Sequence, residues 1–249
     1  MSREVNWDSI KIHCSSLGVL FTEPKLKVEK EAGLLSKTAK SHLIRVYIKE
    51  YWGRQRKVET KQMKKGTVNE HEGIKMLGRI DGKVYVKNEE TKENDWIIGT
   101  ADIISDDFLA DIKLSWDSDT FLGELMEPID EGYKYQVIGY MWLWRKLKAK
   151  VSYCLVDAPE MIILDEKRRL LFKMDVATDE NPEYKAAAAE LEYQMTYWDI
   201  PESERVIDKW VNWNQYIIDQ IPSKVQQARE FLKEFHELHT KKQLKTTNK

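Results

Sequence analysis

Apolar residues recur three and four positions apart over 6–21, 36–53 and 60–78, the spacing of one helical face, so three helices are predicted there. Ser36 stands where the second would be capped. KVYVK (83–87) alternates like a strand, and NEETKEND follows as a charged turn. Residues 97–116, IIGTADIISDDFLADIKLSW, form two apolar runs about a Ser-Asp-Asp turn signal and predict a hairpin. Beyond it, 131–147 reads as a helix and 151–159 as a strand ended by Pro159. The segments RRLLFKMDV and ERVIDKW read as edge strands on either side of a helix at 182–197. A long helix closes the chain from 212 to 242, with Pro222 a candidate kink. This order predicts an α/β fold: a mixed central β-sheet flanked by helices, with additional N- and C-terminal helices.

The hairpin carries the sharpest pattern. If its turn centres between Asp106 and Asp107, Ile104 faces Leu109 and Asp102 faces Asp111. One face is then Ile97, Gly99, Ala101, Ile103, Phe108, Ala110, Ile112 and Leu114, wholly apolar. The other gathers Asp102, Asp111 and Lys113, and a one-residue slip would mix the two. Directly opposed carboxylates, with Cβ atoms roughly 5 Å apart, repel. A divalent cation is one compensation; a lysine bridging two acids, or an exposed hairpin with solvated charges, is another.

Composition narrows the class. With 249 residues, 42% hydrophobic, 33% charged and a formal net charge of −2, the chain suits one domain. Its expected parts are N-terminal helices (1–60), a core (61–160) and a strand/helix part (161–249). Cys14 and Cys154 are too few for a disulfide framework or a four-cysteine cluster. The N-terminus has scattered charges where a signal peptide needs an apolar run, and Val137–Trp144 is too short to span a bilayer. A soluble cytoplasmic protein is expected. Basic residues cluster in GRQRKVETKQMKKG (53–66) and after Leu238, where they either contact phosphates or stand solvated.

Two further positions bear on the hairpin. Glu70 shares a helical face with Ile74 and Leu77, whereas Glu72 points about 200° away. An acid on a core-facing stripe needs a partner or a metal, although Thr67-Val68-Asn69-Glu70 also reads as a capping box. Gln136 and Tyr140 lie four apart on one face of the 131–147 helix, a spacing that surface packing also explains.

The order Gly66-x-x-x-Glu70, Gly99-x-x-Asp102, Asp111-x-Lys113 and Gln136-x-x-x-Tyr140 resembles the PD-(D/E)xK nuclease superfamily. More narrowly, it is similar to the branch of the RecB nuclease domain and the phage lambda-type (YqaJ-like) exonucleases, with a restriction-endonuclease-like fold. The resemblance implies a deoxyribonuclease degrading double-stranded DNA from an end, in phage-type recombination. It implies Mg²⁺, with Mn²⁺ able to substitute, held by Asp102, Asp111 and the carbonyl of Ile112, with Glu70 acting through water. Lys113 would position a water, and nearby cations would depress its pKa; Gln136 and Tyr140 would orient the site. A single-strand annealing recombinase as partner and a trimeric ring, with the 53–66 segment facing the channel, are also implied. Ser15 and Ser16 would lie near the terminal phosphate. The rivals are an endonuclease on the same fold and an inactive DNA-binding module.

Overall fold

The structure, a computed structural model, describes residues 3–55 and 60–247. The first helical stretch breaks up. A 3-10 turn at Trp7–Ser9 leads into strand β1 (Ile12–His13), and helix α1 begins only at Cys14–Leu20. Ile10 and the residues after it run extended because β1 pairs with the hairpin's first arm. After α2 (Lys27–Glu31), helix α3 (Lys37–Trp52) starts where expected: Ser36 Oγ accepts the Ala39 N–H at 3.0 Å.

Helix α4 (Lys61–Asp81) also forms, but its cap is Thr60, which accepts from the Met63 N–H at 3.2 Å. The capping box at Thr67 is therefore not a helix start. Thr67 and Glu70 lie in the second and third turns, where the Thr67 N–H is already in the helical ladder, so the Glu70 side chain has no free N-cap N–H to accept from. The strand expected at 83–87 is absent. Val84 and Val86 are exposed, and the short strand β2 (Lys92–Glu93) pairs instead.

The hairpin keeps its register and loses its unity. Strand β4 (Ile103–Ile104) lies antiparallel to β5 (Leu109–Leu114) with Ile103 opposite Ala110 and Ile104 opposite Leu109. The arm before it, β3 (Ile97–Gly99), peels away between β1 and β2. The strands thus divide into two mixed sheets, ordered β1-β3-β2 and β4-β5-β6-β7, rather than one central sheet. Helices α5 (Ser118–Gly123) and α6 (Glu131–Trp144) lead to β6 (Lys148–Cys154), which pairs parallel with β5. RRLLFKMDV is not a strand; most of it belongs to α7 (Glu160–Lys173), which packs beside α8 (Pro182–Met195). Its apolar run was misread because Arg168 and Arg169 hid the helical repeat. Strand β7 (Val206–Asn212) closes the second sheet, and α9 (Gln215–Thr247) runs through Pro222.

Burial bears out the face assignment. Ile97, Gly99, Ala101, Ile103, Phe108, Ala110 and Ile112 are all buried. Ala110 and Ile112 meet Ile74, Met76 and Leu77 of α4, while Leu109 joins the larger core under α1, α3, α6 and α9. Strand β5 is therefore clamped between α4 and α6. Helix α1 approaches α6 at glycines: a Cβ on Gly18 would sit 2.7 Å from the Gly132 Cα, so a side chain there would force the helices apart. Among the described residues no helix is long and apolar enough to cross a membrane.

Candidate active site

Asp111 centres the site. Alternation along β5 turns it away from α4 and toward α6, and its residue is 2% exposed. That burial excludes the solvated hairpin. Gln136, one turn before Tyr140 on α6, donates from Nε2 to Asp111 Oδ1 at 2.7 Å. The same Nε2 lies 2.9 Å from the Tyr140 hydroxyl. The Gln136–Tyr140 pair is thus no surface packing; Gln136 is 6% and Tyr140 4% exposed. Tyr140 is positioned by missing side chains around it: a Cβ on Gly99 would come 2.6 Å from its ring and 2.8 Å from Cys14 Sγ.

Asp102 follows the point where β3 and β4 part. Its Oδ2 accepts the Ile112 N–H at 2.6 Å, so the carboxylate stands in for the ladder partner that the diverging backbone withdraws. Lys113, next along the Asp111 face, brings Nζ to 2.7 Å from Asp111 Oδ2. Asp111 Oδ2 is buried and is met by this ammonium as an ion pair, with no hydrogen-bond donor of its own among the described residues. Lys113 Nζ also sits 4.3 Å from the Tyr133 ring centroid. Tyr133 is a site residue that sequence reasoning missed; its place three before Gln136, on the same face of α6, was the available signal.

Glu70 faces the same region from α4, with its side chain 21% exposed and paired to Lys87 at 2.9 Å. Lys87, from the segment misread as a strand, is a second missed neighbour. Glu72 pairs instead with Lys75 at 3.0 Å, away from the aspartates.

The electrostatics follow from burial. Desolvation first, then the charge of Asp111, pushes the Asp102 carboxyl up to about 8, although the Ile112 N–H opposes the shift. Burial likewise raises Asp111, with Lys113 opposing. Burial pulls Lys113 down, but the adjoining Asp111 carboxylate outweighs it, and the ammonium is held above its ordinary value. The depression expected of Lys113 is not found in this structure. Two carboxylates of raised pKa and one orphaned buried oxygen fit a hard divalent cation, which binds all-oxygen donors and displaces their protons.

A groove of about 1080 Å³ runs between β1, the start of α1 and α3. Arg3, Lys11, His42, Arg45, Lys49 and Arg54 line it together with Glu4 and Glu50, and Ser15, Ser16 and Ile98 also line it. Burial, then Lys49 for His13 and Arg45 for His42, hold both imidazoles below their ordinary value. Within the basic 53–66 segment two lysines are engaged inside the chain. Lys65 is 1% exposed and donates to the Trp116 carbonyl at 2.9 Å, and Lys61 pairs with Asp165 at 3.1 Å. Among the described residues of the segment, Arg54 and Gln55 line the groove; Arg56 and Lys57 lie outside the described residues.

No family model matches the sequence, and no curated protein does. Among solved structures, a phage-related exonuclease from Haemophilus somnus 129PT matches with a TM-score of 0.71 and 26% identity, over 93% of this chain and 97% of that one. The alkaline exonuclease LHK-Exo from Laribacter hongkongensis matches with a TM-score of 0.61 and 12% identity, over 96% of this chain and 98% of that one. Its complex with dAMP matches with a TM-score of 0.61 over 95% and 94%. These neighbours belong with the exonuclease branch that the motif order resembles.

Proposed function

We propose that this chain is a Mg²⁺-dependent exonuclease that hydrolyses double-stranded DNA from an end. One observation carries the reading: a buried Asp111 joined to Lys113 and Gln136, beside Asp102, on a fold matched almost end to end by a phage-related exonuclease. In it, Asp102, Asp111 and the Ile112 carbonyl hold the cation, with Glu70 reaching it through water. When bound, the ion supplies charge neutralisation at the phosphate and acidifies a water.

The rest of the work falls to the chain's own residues. Gln136 fixes the Asp111 carboxylate and is itself steadied by Tyr140, so the ligand oxygens point one way before substrate arrives. Lys113, protonated and braced between Asp111 and the Tyr133 face, presents an N–H to a water or a phosphoryl oxygen. The basic groove takes backbone phosphates, with Ser15 and Ser16 beside the terminal one. A cytoplasmic setting in phage-type recombination, a homo-oligomer, trimeric by preference, and a strand-annealing partner complete the proposal.

End-labelled duplex tests it. The wild type should release nucleotides with Mg²⁺ or Mn²⁺ and stop on chelation. Asp111→Ala and Lys113→Ala should each lose about 100-fold or more in rate while unfolding cooperatively. Cleavage that survives both substitutions would place the chemistry elsewhere; a folded, DNA-binding but inert wild type would identify a dead module.

A further inference from the structure

Far from the carboxylate cluster, two imidazoles meet on one phenol. Helix α9 carries His236 and His239 three residues apart, hence on one face, and α3 supplies Tyr47, which is 1% exposed. His236 Nδ1 lies 3.0 Å and His239 Nδ1 3.1 Å from the Tyr47 hydroxyl oxygen. Aromatic rings enclose the three: Trp7 stacks on Tyr47 at 5.1 Å, Phe235 meets it edge-on at 5.0 Å, and Tyr51 and Trp52 stand against His236 and His239 at 4.9 and 5.5 Å. A phenol has one proton to give. Tyr47 therefore donates to one Nδ1 and accepts from the other, so the two histidines are opposite tautomers.

We propose that His236 Nδ1, His239 Nδ1 and the Tyr47 oxygen form a binding site for a divalent transition-metal ion of the Zn²⁺ type. Three nitrogen and oxygen donors converge from two helices. Each imidazole Nδ1 stands 3.0–3.1 Å from the phenol oxygen, close to the edge of a tetrahedron with metal bonds of about 2.0–2.1 Å, which is about 3.3 Å, so a few tenths of an ångström of movement admits the ion. Imidazole donors select borderline metals, unlike the all-oxygen cluster around Asp111. The neighbouring Tyr51 and Trp52 rings hold the imidazole planes, while the half-buried histidines leave the ion an approach from solvent. On binding, one imidazole proton moves from Nδ1 to Nε2 and the phenol proton passes to solvent, leaving three lone pairs on the metal and the fourth position open. The ion would tie the C-terminal part of α9 to α3. None of this rests on the nuclease reading.

The test uses the full chain, stripped by chelator and then held in saturating Mg²⁺, titrated with Zn²⁺ by calorimetry and followed by thermal unfolding. Wild type and Asp111→Asn should both bind one Zn²⁺ at this site and unfold at a higher midpoint. The double variant His236→Gln, His239→Gln should bind one ion fewer and show no zinc-dependent shift. Co²⁺ in place of Zn²⁺ should give tetrahedral visible bands that Tyr47→Phe alters, a readout that does not depend on how stable the double variant is. A wild type that binds no Zn²⁺ beyond the Mg²⁺-occupied site would overturn the proposal. So would an unchanged stoichiometry in the double variant, or Co²⁺ bands indifferent to Tyr47.

Discussion

A carboxyl that keeps its proton near neutrality makes the metal-free protein sensitive to pH in an unusual direction. Asp102 moves from an ordinary 3.8 to about 8 on folding, because burial and Asp111 both penalise its charge. A raised folded-state value gives stability that is whole below about pH 4 and is lost as pH climbs through about 8. In chelator, the unfolding midpoint of the wild type should therefore fall between pH 5 and pH 8.5 more steeply than that of Asp102→Asn, which can still accept the Ile112 N–H. Scanning calorimetry across that range checks it; parallel slopes would mean that the site is wetter than its burial implies. At this scale the sequence was informative where side-chain alternation is strict. Asp102, Asp111 and Lys113 could be placed together because a period of two tolerates no slip. Tyr133 and Lys87 were not legible, since each acts through space on a residue distant in the chain, Lys113 and Glu70, and neither breaks any local pattern.

Helix phase is the next level, and it separates two neighbouring acids. Ile74 and Leu77 are 2% and 1% exposed, so the stripe that carries Glu70 does face the sheet. The charge of Glu70 adds to the pressure on both aspartates, whereas Glu72 is drawn to Lys75 and His71. Glu70→Gln should cost about 10–100-fold in cleavage rate, in the manner of a residue behind the ligands. Glu72→Gln should leave the rate unchanged, and steady-state assays of the pair decide it. The reverse ranking would mean that α4 is rotated. The periodicity that fixed this face did not fix the helix start, because Thr67 and Glu70 mimic a cap and nothing in the sequence says that Thr60 caps first. Strands β1 and β2 escaped notice for a related reason: two residues carry no period, and both exist only because β3 offers them edges.

Over the whole molecule, a formal charge of −2 gives little long-range attraction for duplex DNA, yet the groove is lined by more basic than acidic side chains. A protein so charged holds DNA better by enclosing it than by attracting it, and enclosure demands a free end. Offered linear and covalently closed circular duplex of one sequence with Mg²⁺, at low and moderate salt, it should consume the first and spare the second, and it should elute as an oligomer on size exclusion. Prompt nicking of the circle would favour an endonuclease. The α/β class was legible from the order of elements, but the division into two sheets was not. Ile97 to Ile104 reads as one strand arm with no break signalled, whereas the close packing of Gly99 against Tyr140 and Cys14 is visible only in the structure.

Arg229, late in the chain, reaches back across the molecule. Its guanidinium donates to the Ile10 carbonyl at 2.9 Å and to the Asp95 carbonyl, and lies 4.9 Å from the Trp96 ring. It thereby bolts the start of β1 to the turn before β3, the strand that delivers Asp102. A residue translated long after Asp102, Asp111 and Lys113 thus locks the scaffold that aims them, so the growing chain carries its acids and lysine before they are held in place.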